Sequence, residues 1–203
     1  MPLDPPGTYV RGSKTMTTNS ATLAPELAVS EWFNTLKPLT LREHIGRPVL
    51  LHTFQLLCPG CVSASLPQVQ RIEHVFAGTD LQVIGLHTVF EHHAAMTPVT
   101  LKAFLHEYRI RHPGGVDLAD GKSDIPVTMR RFALRGTPSS VLIGRDGSIF
   151  HTSFGVEEDM ALGARVAMAL AAPLRTPTAT DASADDGPAC SEDHCAIPPT
   201  RAA

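Results

Sequence analysis

The sequence predicts an α/β protein with a mixed central sheet and helices on both faces. Three observations predict it. Strand-like and helix-like segments alternate from residue 49 to residue 108, and crossover helices demand parallel pairing of the strands they join. Residues 139–143 and 148–152 flank Gly144-Arg145-Asp146-Gly147, an Asp-Gly hairpin signal that adds antiparallel pairing at one edge. Cys58-Pro59-Gly60-Cys61 stands where the first strand-like run meets an amphipathic stretch.

Each element has its own signal. Residues 49–56 are largely apolar, as in a strand covered on both faces. Over 61–76, Val62, Leu66, Val69, Ile72, Val75 and Phe76 fall near helical spacing, with Pro67 expected to kink the helix. Residues 81–87 read as the next strand. Over 97–108 Thr97 suits the cap and Pro98 the first turn of a helix. A short strand at 116–118 and a short helix at 125–132 precede the hairpin. The last helix, 157–171, is acidic at its start, as the helix dipole prefers. Trp32 and Phe33 are expected to pack the first element onto the sheet.

The domain is expected at 29–172. Residues 1–28 read as a flexible lead-in, and 173–203 as a flexible, Pro-punctuated tail that carries Cys190 and Cys195. The chain has 203 residues, 43% of them hydrophobic, and a formal charge of −3. That suits one sizeable core, and without a basic stripe it argues against a nucleic-acid partner. No apolar run is long enough to span a bilayer, and the N-terminus lacks the basic start and apolar centre of a signal peptide. A cytoplasmic location is expected. Structural disulfides are rare there, so a Cys-x-x-Cys is expected to cycle rather than staple.

The physical case for redox chemistry at Cys58 and Cys61 is local. Two intervening residues let one helical turn bring the sulfurs into bonding range. The free N–H groups of the first turn favour an anionic sulfur on Cys58. Pro59 suits the first helical position because it has no N–H to leave unpaired. The rival readings are buried apolar cysteines and a metal site. A zinc ribbon would need a second Cys-x-x-Cys some 15–20 residues on, and none follows.

The order of elements, with Cys58-Pro59-Gly60-Cys61 after the first core strand and Arg135-Gly136-Thr137-Pro138 before the hairpin, resembles the thioredoxin superfamily. More narrowly it resembles the redoxin branch, which includes thioredoxin-like reductases and peroxiredoxin relatives. The resemblance covers residues 30–172 and implies a thioredoxin-like fold with a redoxin-type insertion at 88–124. It implies a cis Pro138 beside the dithiol, with the Thr137 backbone presented to an extended substrate. It also implies that Cys58 attacks a substrate disulfide and that Cys61 resolves the mixed disulfide. No organic cofactor and no metal are expected. The expected partners are a protein or small-molecule disulfide and an external thiol electron donor.

The chain departs from the family pattern in three ways. Leu57 stands where an aromatic residue often precedes the first cysteine. No Pro-x-x-x-Thr/Ser-x-x-Cys pattern precedes Cys58, which weakens a hydroperoxide reductase reading. His52 replaces the acidic residue that thioredoxin carries on the buried strand below its dithiol.

His52 is a base near neutral pH and is a candidate acceptor for the proton of Cys61. The alternative is an imidazole hydrogen-bonded in the core. His87, Glu91, His92, His93, His106 and His112 form a loose His-rich region that reads as solvated surface, with a metal site as the rival. Cys190 and Cys195 are candidates for an accessory dithiol that re-reduces or caps the site, with a metal chelate and idle surface thiols as the rivals. The leading reading is a thiol–disulfide oxidoreductase. A hydroperoxide reductase with antioxidant activity and a metal-binding module using Cys58, Cys61 and a His stand as alternatives.

Overall fold

The computed structural model describes residues 23–174. Six strands form one sheet: β1 (Val29–Phe33), β2 (Val49–Phe54), β3 (Gln82–His87), β4 (Gly114–Asp117), β5 (Ser139–Ile143) and β6 (Ile149–Phe154). Their spatial order is β1-β4-β3-β2-β5-β6. The β2–β3 and β3–β4 pairs are parallel, and β1, β5 and β6 add antiparallel pairing at the two sides. The helices are α1 (Leu66–Val75), α2 (Pro98–Glu107), α3 (Val127–Arg131) and α4 (Asp159–Ala171). The expected mixed sheet, with α2 and β4 supplied by the 88–124 insertion, is present.

β2 is the centre of the sheet because both its faces are apolar. Val49 and Leu51 pack with Ile84, Leu86, Val141, Ile143 and Phe132 on one side. Leu50 packs with Val69 and Ile72 of α1 and Leu162 and Val166 of α4 on the other. On that same side Phe54 joins Cys61, Leu66 and Leu101 and Leu105 of α2. Each fully buried Leu or Ile contributes about 1.5–3 kcal/mol relative to an exposed one.

Three local features differ from expectation. Residues 29–33 form an edge strand, β1, with Trp32 packed on one face of the sheet and Phe33 on the other. Its exposed Ser30 and Glu31 hide the strand in the sequence. Pro67 does not interrupt α1; it stands at the start of that helix, directly after a wider π turn, Cys61–Ser65. The wider turn accommodates a proline that has no N–H to give the turn before it.

The third difference is the start of the domain, which lies before residue 29. Leu23 bridges Ser148, the Ala24 N–H donates to the Gly147 carbonyl, and Ala28 exchanges two hydrogen bonds with the Thr128 hydroxyl. Glu26 accepts from the N–H groups of Leu41 and Arg42. These contacts join residues far apart in sequence, so local composition does not reveal them.

α3 owes its position to a buried carboxylate. Asp117, at the end of β4, accepts from the N–H groups of Thr128 (2.8 Å) and Met129 (3.0 Å) and from the Thr88 hydroxyl (3.0 Å). Burial nevertheless raises its pKa above the ordinary carboxylate value, against those donors.

Candidate active site

The Cys58–Cys61 motif lies just past the C-terminal end of β2. The Cys58 N–H donates to the Gln55 carbonyl, and the Val62 N–H donates to the Cys58 carbonyl, so the chain turns into a helix at Cys58. Pro59 and Gly60 are already helical. Cys58 is half-buried and Cys61 is buried, and both are free thiols. The Cys61 N–H donates to Cys58 Sγ at 3.2 Å, a bond that strengthens when the sulfur is anionic.

The loop before β5 closes the site. Thr137–Pro138 is a cis peptide bond, as the resemblance implies. Cys58 Sγ lies 3.6 Å from the Thr137 carbonyl oxygen. A methyl on Gly60 would lie 3.6 Å from Pro138 Cδ, so the glycine of the motif faces the proline ring. The β2–β5 ladder holds this loop in register, with Thr53 opposite Ser139 and His52 opposite Ser140.

The two thiols have different environments. Burial pushes the Cys61 thiol up to about 12, and its hydrogen bond with Cys58 adds to the rise. The Gln55 backbone and the Thr137 side chain oppose it without cancelling it. Cys61 is therefore held as S–H at neutral pH. The first cysteine is half-exposed and the second is buried and protonated.

Beneath the dithiol is a polar group that the sequence only partly reveals. Leu50, His52 and Phe54 alternate onto the face of β2 covered by the helix. His52 is fully buried and stacks on Phe54 with ring centroids 5.4 Å apart. Its Nε2 lies 2.8 Å from His112 Nε2, and its Nδ1 has no partner among the described residues. His112 Nδ1 in turn lies 2.9 Å from Glu73 Oε2 on α1. Burial and the neighbouring His112 lower the pKa of His52 well below the usual imidazole value. His52, the candidate acceptor for the Cys61 proton, makes its polar contact with His112 rather than with Cys61.

The reading of the His-rich region as surface needs correction. His92, His93 and His106 are exposed, but His87 and His112 are buried. His87 lies on β3 opposite Phe54, with ring centroids 5.6 Å apart and neither nitrogen partnered among the described residues. Desolvation lowers its pKa to about 4. Sequence spacing does not separate these two from their exposed neighbours, since burial here follows from sheet register. Among the described residues no group of three or more His, Cys, Asp or Glu is gathered as for a metal ion. Cys190 and Cys195 lie outside the described residues.

No protein-family model and no curated protein matches the chain. Solved structures do. A thioredoxin-like superfamily protein is 46% identical over 75% of this chain and 99% of its own, with a TM-score of 0.73. A thiol-disulfide isomerase from Corynebacterium glutamicum is 42% identical over 76% of this chain and 99% of its own, with a TM-score of 0.71. A thioredoxin-like protein solved in its oxidized form shares the fold at 24% identity, covering 74% of this chain and 96% of that one, with a TM-score of 0.61.

Proposed function

The chain belongs to the thioredoxin-like superfamily, and on that premise we propose that it is a thiol–disulfide oxidoreductase cycling Cys58 and Cys61 between dithiol and disulfide. The observation that carries the reading is the asymmetric pair: half-exposed Cys58, with its sulfur bonded by the Cys61 N–H, above a buried Cys61. The Cys58 thiolate attacks a substrate disulfide and expels one substrate sulfur as thiolate. Cys61 loses its proton and attacks Cys58 Sγ, which releases the second substrate sulfur and leaves a Cys58–Cys61 bond. An external thiol donor returns the two electrons. Thr137 and Pro138, beside Cys58, receive an extended disulfide-bearing segment, and His52 accepts the proton of Cys61.

Insulin reduction by the protein with a dithiol donor tests this. Cys58→Ser should abolish turnover, and Cys61→Ser should accumulate a mixed disulfide visible by mass spectrometry. Full turnover by Cys61→Ser would sink the dithiol mechanism. Cys58-dependent consumption of hydroperoxide would then mark a peroxidase. Among the described residues no helix is long and apolar enough to cross a membrane. The cytoplasmic location belongs to the same proposal and is checked by cell fractionation.

A further inference from the structure

Resting on the oxidoreductase reading, we propose that His52, His112 and Glu73 form a proton relay that carries the proton of Cys61 to the surface during resolution and returns one during re-reduction. The three side chains come from β2, the loop before β4 and α1. They run from a fully buried imidazole through a second buried one to a carboxylate whose side chain is 31% exposed.

The hydrogen positions follow from the contacts. The Glu73 carboxylate only accepts, so His112 Nδ1 carries a hydrogen. In neutral His112 the Nε2 is then a bare acceptor, and the hydrogen in the 2.8 Å contact belongs to His52 Nε2. Neutral His52 is left with a bare Nδ1, the nitrogen that has no partner. The opposite assignment would bury an N–H without an acceptor, which costs about 1–3 kcal/mol. The chain therefore presents an unused lone pair in the layer beneath the helix that carries Cys61. The absence of a side chain at Gly85 leaves room for the imidazole pair: a methyl there would lie 2.9 Å from His52 Nε2 and 3.2 Å from His112 Nε2.

The steps balance. During resolution the Cys61 S–H gives its proton to His52 Nδ1 through one bridging water, because the two side chains make no direct hydrogen bond. The sulfur forms the Cys58–Cys61 bond as the substrate sulfur leaves with its electron pair. His52 Nε2–H passes its proton to His112 Nε2, and His112 Nδ1–H passes its own to Glu73, which exchanges with solvent. When the external thiol reduces the disulfide, Cys61 needs a proton again. His52 Nδ1–H supplies it, and a solvent proton entering through Glu73 and His112 restores the first arrangement. Neither ring has to turn over.

The probe is 5,5′-dithiobis(2-nitrobenzoate) mixed with the reduced full-length protein in a stopped-flow instrument. Attack by Cys58 releases one thionitrobenzoate and resolution by Cys61 releases a second, so the steps appear as two absorbance phases. Glu73→Gln keeps an acceptor for His112 but removes the proton-accepting carboxylate. It and His112→Gln are expected to slow the second phase by about tenfold or more and to leave the first nearly unchanged. Glu73→Asp should recover most of the loss. An unchanged second phase in both variants overturns the relay, and if His52→Ala still slows that phase the oxidoreductase reading stands. Equal slowing of both phases, or no recovery with Glu73→Asp, reduces the three residues to packing. Release of no thionitrobenzoate by the parent protein overturns the oxidoreductase reading and the relay together.

Discussion

Gly85 stands directly opposite His52 in the β2–β3 ladder, and the missing Cβ of one residue is the space taken by the ring of the other. Gly85→Ala would force His52 or His112 to move and break the 2.8 Å contact between them. Overpacking of this kind costs about 1–3 kcal/mol. Urea unfolding should show that loss, and the imidazole NMR signals of both histidines should shift. A variant of parental stability with unshifted histidine signals would refute this account of Gly85.

His87 predicts an acid-labile domain. Its folded pKa of about 4 lies below the unfolded value of 6.5, so the unfolded chain binds more protons in between. Stability contributed by the neutral ring is complete above about pH 6.5 and is lost as pH falls toward 4. At pH 5 the loss from His87 alone is about 2 kcal/mol. Burial shifts His44 and His52 in the same direction. His87→Leu removes the titrating group, so its urea midpoint should fall less between pH 7.5 and pH 5 than that of the parent. Parallel pH profiles would show that His87 does not titrate on unfolding.

The unequal thiols predict unequal alkylation. With its pKa near 12, Cys61 is about one part in ten thousand thiolate at pH 8, and its sulfur is buried. Brief iodoacetamide treatment of the reduced protein should label Cys58 first and leave Cys61 free. Peptide mass spectrometry reads this directly, and prior labelling of Cys61 would reverse the assigned roles.

Asp117 predicts a stability effect far from the thiols. Asp117→Ala would leave the Thr128 and Met129 N–H groups and the Thr88 hydroxyl without their acceptor. The expected loss is about 2–4 kcal/mol, from a lost helix cap together with buried donors left unpaired. Asp117→Asn keeps one acceptor oxygen and should lose less. Equal urea midpoints for Asp117→Ala and the parent would mean that α3 does not depend on this carboxylate.

What was legible in the sequence is what short spacing encodes. The apolar run of β2, the Asp146-Gly147 turn, and Thr97 with Pro98 at the head of α2 each specify their element from neighbouring residues. Cys58 and Cys61 come together because one helical turn separates them. Gly136-Thr137-Pro138 was legible only through family resemblance, since locally it reads as a turn before a strand. The tertiary structure alone decided which histidines are buried and what they meet. His52 and His112 are 60 residues apart, and His112 and Glu73 are 39 apart. No periodicity links such positions. They meet because parallel pairing sets β2, β3 and β4 side by side and α1 lies across that face. Whether an imidazole is a solvated surface group or a buried one then depends on strand register and on the small residue opposite it, here Gly85.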